Sequence, residues 1–183
     1  MKYIALLRGI NVSGQKKIKM ADLKVLVSSI DKIQNVQTYI QSGNLIFESQ
    51  IDDLIKISTK ISSYIYKEYK FEVVVIVKNQ CQWSQIVTTN PFLKDSSIDT
   101  KCLFVTFLSV KPRPENILNL KSIDFTPDMF IIDDQIIFSC FANGIGKSKM
   151  NNNVYENKLK TNATTRNWNT MIKLNNLCNL DET

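Results

Sequence analysis

Residues 35–49 read NVQTYIQSGNLIFES, and the reading of the whole chain turns on them. Apolar and polar residues alternate through Gln41, the SGN triplet at 42–44 supplies a turn, and LIFES at 45–49 returns as a second strand. The segments on either side complete a unit. Upstream, KYIALLR (2–8) has the unbroken apolar character of a buried strand, and MADLKVLVSSI (20–30) sets Leu23, Leu26, Val27 and Ile30 at helical spacing. Downstream, Ile51, Leu54, Ile55, Ile61 and Ile65 mark one face of a second helix, and the β-branched run FEVVVIVK (71–78) closes the series. The order is βαββαβ, the ferredoxin-like pattern.

The second half repeats much of that order. A short helix near Cys81–Val87 and an NPF turn (90–92) lead to a strand at 101–108 and a helix opening at Pro114. A hairpin then runs through DMFII (128–132) and QIIFSCF (135–141) about Asp133-Asp134, and helices follow around 152–159 and from Thr164. The expectation is an α+β chain of two tandem ferredoxin-like modules, residues 1–78 and 79–183, the second carrying the linking helix and a helical C-terminal extension. A single larger mixed sheet is the alternative.

Composition narrows the chemistry. The chain has 183 residues, 44% of them hydrophobic, which suffices for one full core or two small ones. No apolar run approaches the roughly 20 residues that span a bilayer. Arg8 interrupts the only short apolar run near the start and no cleavage site follows, so a cytoplasmic location is expected. Cys81, Cys102, Cys140 and Cys178 show no CxxC spacing and read as reduced core thiols. Histidine is absent, which removes Ser-His and Cys-His nucleophiles and the usual zinc hydrolase sites. No metal constellation is visible in the sequence, and no cofactor is called for.

The net charge is +6, with cations gathered toward both ends of the sequence. If those ends meet, they would favour an anionic partner; ordinary solubilising lysine produces the same distribution. Only Arg8, Arg113 and Arg166 are arginines, so each invites a reason. TTRNWNTM (164–171) reads as a helix capped by Thr164 or Thr165, with Trp168 and Met171 in the core and Arg166 and Asn167 in the first turn. A cation there opposes the helix dipole, so Arg166 is expected to meet an anion: a ligand phosphate or carboxylate, or a carboxylate of this chain. Arg8, at the end of the first strand, poses the same choice, with Asn11, Ser13, Lys16, Lys17 and Lys19 after it. Arg113, between two prolines, reads as a solvated loop residue.

The five glycines lie in three loops: RGINVSG (8–14), QSGN (41–44) and NGIGKSK (143–149). The last joins backbone amides to Lys147, Ser148 and Lys149, residue types that bind phosphate. It is not a P-loop, because Phe141 stands where that motif needs its first glycine.

The segments YIALLRGINVSGQKKIKMADL (3–23), VQTYIQSGNLIFES (36–49), NPF (90–92), GIGKSKM (144–150) and ATTRNWNTMIKL (163–174) together resemble the bacterial family catalogued as domain of unknown function 1697. The family pattern usually has glycine where this chain has Ser13. The resemblance implies a small soluble bacterial protein of ferredoxin-like α/β architecture and implies no established activity.

The reading these residues favour is a phosphate-bearing small ligand held by Arg8, Lys147, Ser148, Lys149 and Arg166, with Asn11, Asn44 and Asn167 as orienting amides. No catalytic residue is assigned. A phosphoryl-transfer enzyme is one alternative, since that chemistry relies on positioning and positive charge. Single-stranded nucleic acid stacked on Tyr3 and Phe47 is a less favoured one. In a fourth reading the polar signature is purely architectural.

Overall fold

The computed structural model describes residues 1–12 and 14–180; Ser13, singled out above, lies outside the described residues. The chain divides into two compact units. One comprises Met1–Val87 with the segment from Lys173 onward, and the other Thr88–Ile172. The residues after 78 are thus shared between the units, with the first helix beyond that point and the end of the chain grouped with the first.

The first unit runs β1 (Lys2–Leu7), α1 (Met20–Ser28), β2 (Ile33–Tyr39), β3 (Asn44–Ser49), α2 (Leu54–Tyr69) and β4 (Val75–Asn79), followed by α3 (Gln80–Thr88). Its antiparallel sheet has the order β2-β3-β1-β4. The hairpin expected at 35–49 is present, with Tyr39 opposite Asn44. Alternate residues of the sheet, Tyr3, Leu7, Leu45, Phe47 and Val77, pack on Leu23 and Val27 of α1 and Ile57, Ile61 and Ile65 of α2. The residues between them, Ile4, Leu6, Ile46 and Ile76, are buried too, which explains why these strands are apolar throughout rather than alternating. Asp53 caps α2 by accepting from Ile55 N and Lys56 N at 2.9 and 3.0 Å.

The second unit begins with a 3-10 turn at Pro91–Lys94, capped by Asn90, and continues β5 (Leu103–Leu108), α4 (Pro114–Lys121), β6 (Met129–Asp133), β7 (Ile136–Cys140), α5 (Asn152–Leu159) and β8 (Ala163–Asn167). The sheet order, β6-β7-β5-β8, repeats that of the first unit element for element. Leu108, Ile137 and Ala163 meet Leu120 of α4 and Tyr155 and Leu159 of α5 in its core. Tyr155 shares a 3.1 Å hydrogen bond with Ser139 there, and burial pushes its phenol up to about 12.

The end of the chain departs from expectation. Residues 163–167 form a strand, and the last helix, α6 (Trp168–Asn179), starts at Trp168 rather than Thr164. Thr164 and Thr165 are β-branched and complete a ladder with β5 in which Thr106 faces Thr165 and Val105 faces Arg166. The Thr165 hydroxyl donates to Asn152 Oδ1 at 2.6 Å and meets the Thr106 hydroxyl across that ladder at 2.7 Å. The cap is instead Asn167, whose Oδ1 accepts from Thr170 N at 2.8 Å. The core assignments of Trp168, Met171, Cys140 and Cys178 hold, whereas Cys102 is half-buried and Cys81 is exposed on α3, outside the core expected for it.

Gly43 joins two loops of the first unit. Its φ is +77°, and a Cβ built there would stand 2.7 Å from Ile10 Cδ1 and 2.8 Å from Leu7 Cβ. Gly9 has a similar φ of +69° but open space around it. Gly43→Ala is therefore expected to destabilise the fold by about 2–4 kcal/mol through overpacking added to backbone strain, and Gly9→Ala by about 1–2 kcal/mol through strain alone. Urea midpoints of the two variants check this, and equal losses would refute the close-packing account.

Candidate functional site

The structure distributes the candidate residues between the units. Arg8, Asn11 and Asn44 belong to the first, and Lys147, Ser148, Lys149, Arg166 and Asn167 to the second.

In the first unit the two glycine loops are fastened together. Leu7 N donates to Gly43 O at 2.8 Å, and Asn11 Nδ2 donates to both Gln41 O and Ile18 O at 2.9 Å. Ile18 N returns a 2.9 Å bond to Asn11 Oδ1. Asn11 holds a φ of 56°, a left-handed conformation that asparagine tolerates better than most residues. Asn44 is fully buried, its Nδ2 donating to Tyr39 O at 2.8 Å and to Ser42 Oγ at 3.1 Å. Both amides expected to orient a ligand thus serve the backbone of the loops. Arg8 is half-buried, and its main-chain N–H donates to Val74 O at 2.9 Å.

The clamped loops border a cavity of about 570 Å³, within the range of small-molecule sites. Asn11, Lys17, Lys19 and Gln41 line it with Asp22 and Tyr69. Lys19 is the N-cap of α1 and makes no side-chain cap bond, so the first-turn amides of that helix have no side-chain acceptor from their cap. Burial, then the charges of Asp22 and Glu68, hold the Tyr69 phenol above its usual value, so it stays a neutral donor. Lys16 is turned to other work: its Nζ donates to Glu72 O at 2.6 Å and lies 6.0 Å from the centre of the Phe71 ring. Sequence reasoning placed Lys17 and Lys19 beside Arg8 but did not rank them as the lining residues. The signal was there in an N-cap position occupied by lysine instead of serine, threonine or aspartate.

In the second unit, Ile145–Lys147 form a 3-10 turn. Lys147 N donates to Gly144 O at 3.1 Å, Ser148 N to Ile145 O at 3.3 Å, and Met150 N to Ser148 Oγ at 2.9 Å. Lys147 and Lys149 are exposed. Hydrogen bonds from the Thr126 hydroxyl and main chain hold the Asp124 carboxyl below its usual value, and the charge of Lys149 acts in the same direction. Among the described residues, Asn90 Nδ2 is a buried side-chain polar atom with no hydrogen-bond partner. The sequence reading saw only a turn there.

Arg166 does not stand in a helical first turn. It lies in β8, 6% exposed, with Nη1 donating to Thr164 Oγ1 at 2.8 Å and Thr165 O at 2.9 Å. Burial lowers its guanidinium to about 10, so it remains a cation at neutral pH. A dissolved ligand has little access to it. The aromatic platform proposed for nucleic acid is also overturned: Tyr3 and Phe47 are buried in the helix-side core, stacked on each other at 5.9 Å. Among the described residues no three histidine, cysteine, aspartate or glutamate side chains cluster as metal ligands, and no helix is long and apolar enough to cross a membrane.

The model of the family described as protein of unknown function (DUF1697) matches residues 1–138. That span includes Arg8, Asn11 and Asn44 but stops before the 144–150 loop and β8. No functionally curated protein matches the chain. Among solved structures, the conserved bacterial protein SP0830 from Streptococcus pneumoniae is 21% identical with a TM-score of 0.69, covering 97% of this chain and 98% of its own. At that identity the likeness concerns the fold.

Arg166→Ala would leave the Thr164 and Thr165 acceptors unsatisfied beside a void, so a loss of about 2–4 kcal/mol is expected. Arg166→Met keeps the volume without a buried charge and should lose less. Chemical denaturation checks both, and an alanine variant as stable as the parent would contradict the structural role.

Proposed function

Because the chain belongs to the family of proteins of unknown function (DUF1697), we propose from its own geometry that it is a cytosolic, tandem ferredoxin-like protein that binds a phosphate-bearing small ligand in the first-unit cleft. The observation that carries this reading is the cavity of about 570 Å³ whose lining brings Lys17 and Lys19 to the uncapped start of α1. Free amides and a helix dipole attract an anion, and two lysines add charge without fixed geometry. Tyr69 supplies a neutral donor, and Gln41 an amide, for the non-phosphate part of the ligand. Arg8 is retained as a flanking cation. Asn11 and Asn44 act by holding the loops, and Lys147, Ser148, Lys149, Arg166 and Asn167 are assigned no contact with this ligand.

Phosphoryl transfer is the second reading, favoured by one observation: Asp22 brings a carboxylate into the cleft. It would predict slow turnover of a bound nucleotide, lost in Asp22→Asn. Binding alone predicts none.

A thermal-shift panel of ATP, sugar phosphates, inorganic pyrophosphate and short oligonucleotides tests the proposal. A phosphate compound at about 100 times its dissociation constant stabilises by roughly 2.7 kcal/mol, or about 5–10 °C for a chain of this size. The shift should fall in the double variant Lys17→Ala, Lys19→Ala, whose side chains are exposed and whose fold should be unaffected. Silence across the panel, or shifts that the double substitution leaves undiminished, would refute it.

A further inference from the structure

The two units repeat one element order and one strand order, so positions in one have topological counterparts in the other. The first-unit cleft lies where the loop after β1, the start of α1 and the last residue of α2, Tyr69, come together. The corresponding place in the second unit is the loop after β5, the start of α4 and the end of α5. A cavity of about 420 Å³ is found there, lined by Val110, Lys111, Arg113, Glu115, Asn116 and Lys160 among others. The matched positions carry matched residues. Arg113 is the N-cap of α4, again a cation with no side-chain cap bond, as Lys19 is for α1. Lys160 ends α5 in the left-handed conformation at φ 56°, as Lys70 ends α2 at φ 60°.

This second cleft is also braced. Thr161 Oγ1 accepts from Val110 N at 3.1 Å and donates to Val110 O at 3.3 Å, and Ser109 N donates to Asn162 O at 2.9 Å. These bonds tie the loop after β5 to the loop after α5, as the bond from Arg8 N to Val74 O ties the loop after β1 to the loop after α2 in the first unit. Asn116 Nδ2 adds a 3.4 Å bond to Leu159 O. Three cations line this concavity, with Glu115 at 3.9 Å from Arg113 and Asp134 at 3.1 Å from Lys111.

We infer that the second unit carries its own anion cleft, in which Arg113, Lys111 and Lys160 hold a compact phosphate or pyrophosphate group. It goes beyond the first-unit reading and does not depend on it. Arginine provides a planar two-pronged donor that the lysine-lined first cleft lacks, and the smaller volume favours an inorganic or terminal phosphate over a nucleoside. The long Arg113–Glu115 contact is the one an entering anion replaces.

Titration of the full chain with inorganic pyrophosphate, followed by backbone amide NMR, separates the two clefts. Saturable shifts at residues 111–116 and at Lys160 are expected. Arg113→Gln, a change at an exposed side chain, should weaken those shifts by about tenfold or more, the loss of a charge-assisted bond. Glu115→Gln should strengthen them by about two- to fivefold. Shifts confined to the Lys17–Asp22 region would overturn this inference and leave the first-unit reading intact, whereas shifts confined to the Arg113 region would do the reverse. Linear, unsaturable shifts, or no response to Arg113→Gln, would mean general ionic screening and would also overturn it.

Discussion

The Asn11 side-chain amide is the constraint on which the first-unit cleft depends. Its three hydrogen bonds tie the loop after β1 to the strand of chain that enters α1 and to the turn between β2 and β3. Gly43 permits the approach from the other side, since any side chain there would collide with Leu7 and Ile10. Between them these two residues set where Lys17, Lys19 and the start of α1 stand. A polar signature that reads as a set of ligand contacts is, for Asn11 and Asn44, the framework that shapes the wall of the cleft. The lysines supply the charge.

Much of the fold was legible because each element declared its period. The 35–49 hairpin, Ile61 and Ile65 on the buried face of α2, and the repeat of the same order after residue 100 follow from local pattern, whereas Ile55, placed on that face by its spacing, is exposed and Ile57 is buried in its stead. The error at residues 163–167 has a physical source. Threonine followed by a periodic apolar face is a helix-start signal, and only the partner strand β5, some 60 residues earlier in the chain, makes a strand the better use of those threonines. That partnership also decided Arg166. An arginine expected at a helix start is instead closed into a sheet, where neighbouring threonines and a carbonyl take its hydrogen bonds.

The candidate site was less legible because it depends on which polar groups are already spent. The Lys147, Ser148 and Met150 amides bond to oxygens of their own loop, and the Asn11 and Asn44 side chains bond the backbone, facts that no residue type announces. Helix starts without a side-chain cap lie where a helix begins on a cation, at Lys19 and at Arg113. Ordinary capping chemistry disfavours those choices, so they stand out once the helix starts are known. Arg113, expected as a solvated loop residue, gains its interest from the position it shares with Lys19.

The most direct test of this account is the affinity of Asn11→Gly for inorganic pyrophosphate at the first-unit cleft, read from the amide NMR shifts of residues 17–22 beside the parent. Glycine keeps the left-handed backbone at this position and deletes only the amide that clamps the loops. If the clamp shapes the cleft, the variant remains folded and its affinity there falls by about tenfold or more, the equivalent of roughly 1.4 kcal/mol. Full-strength binding without the amide would contradict the account and leave Asn11 an ordinary turn residue.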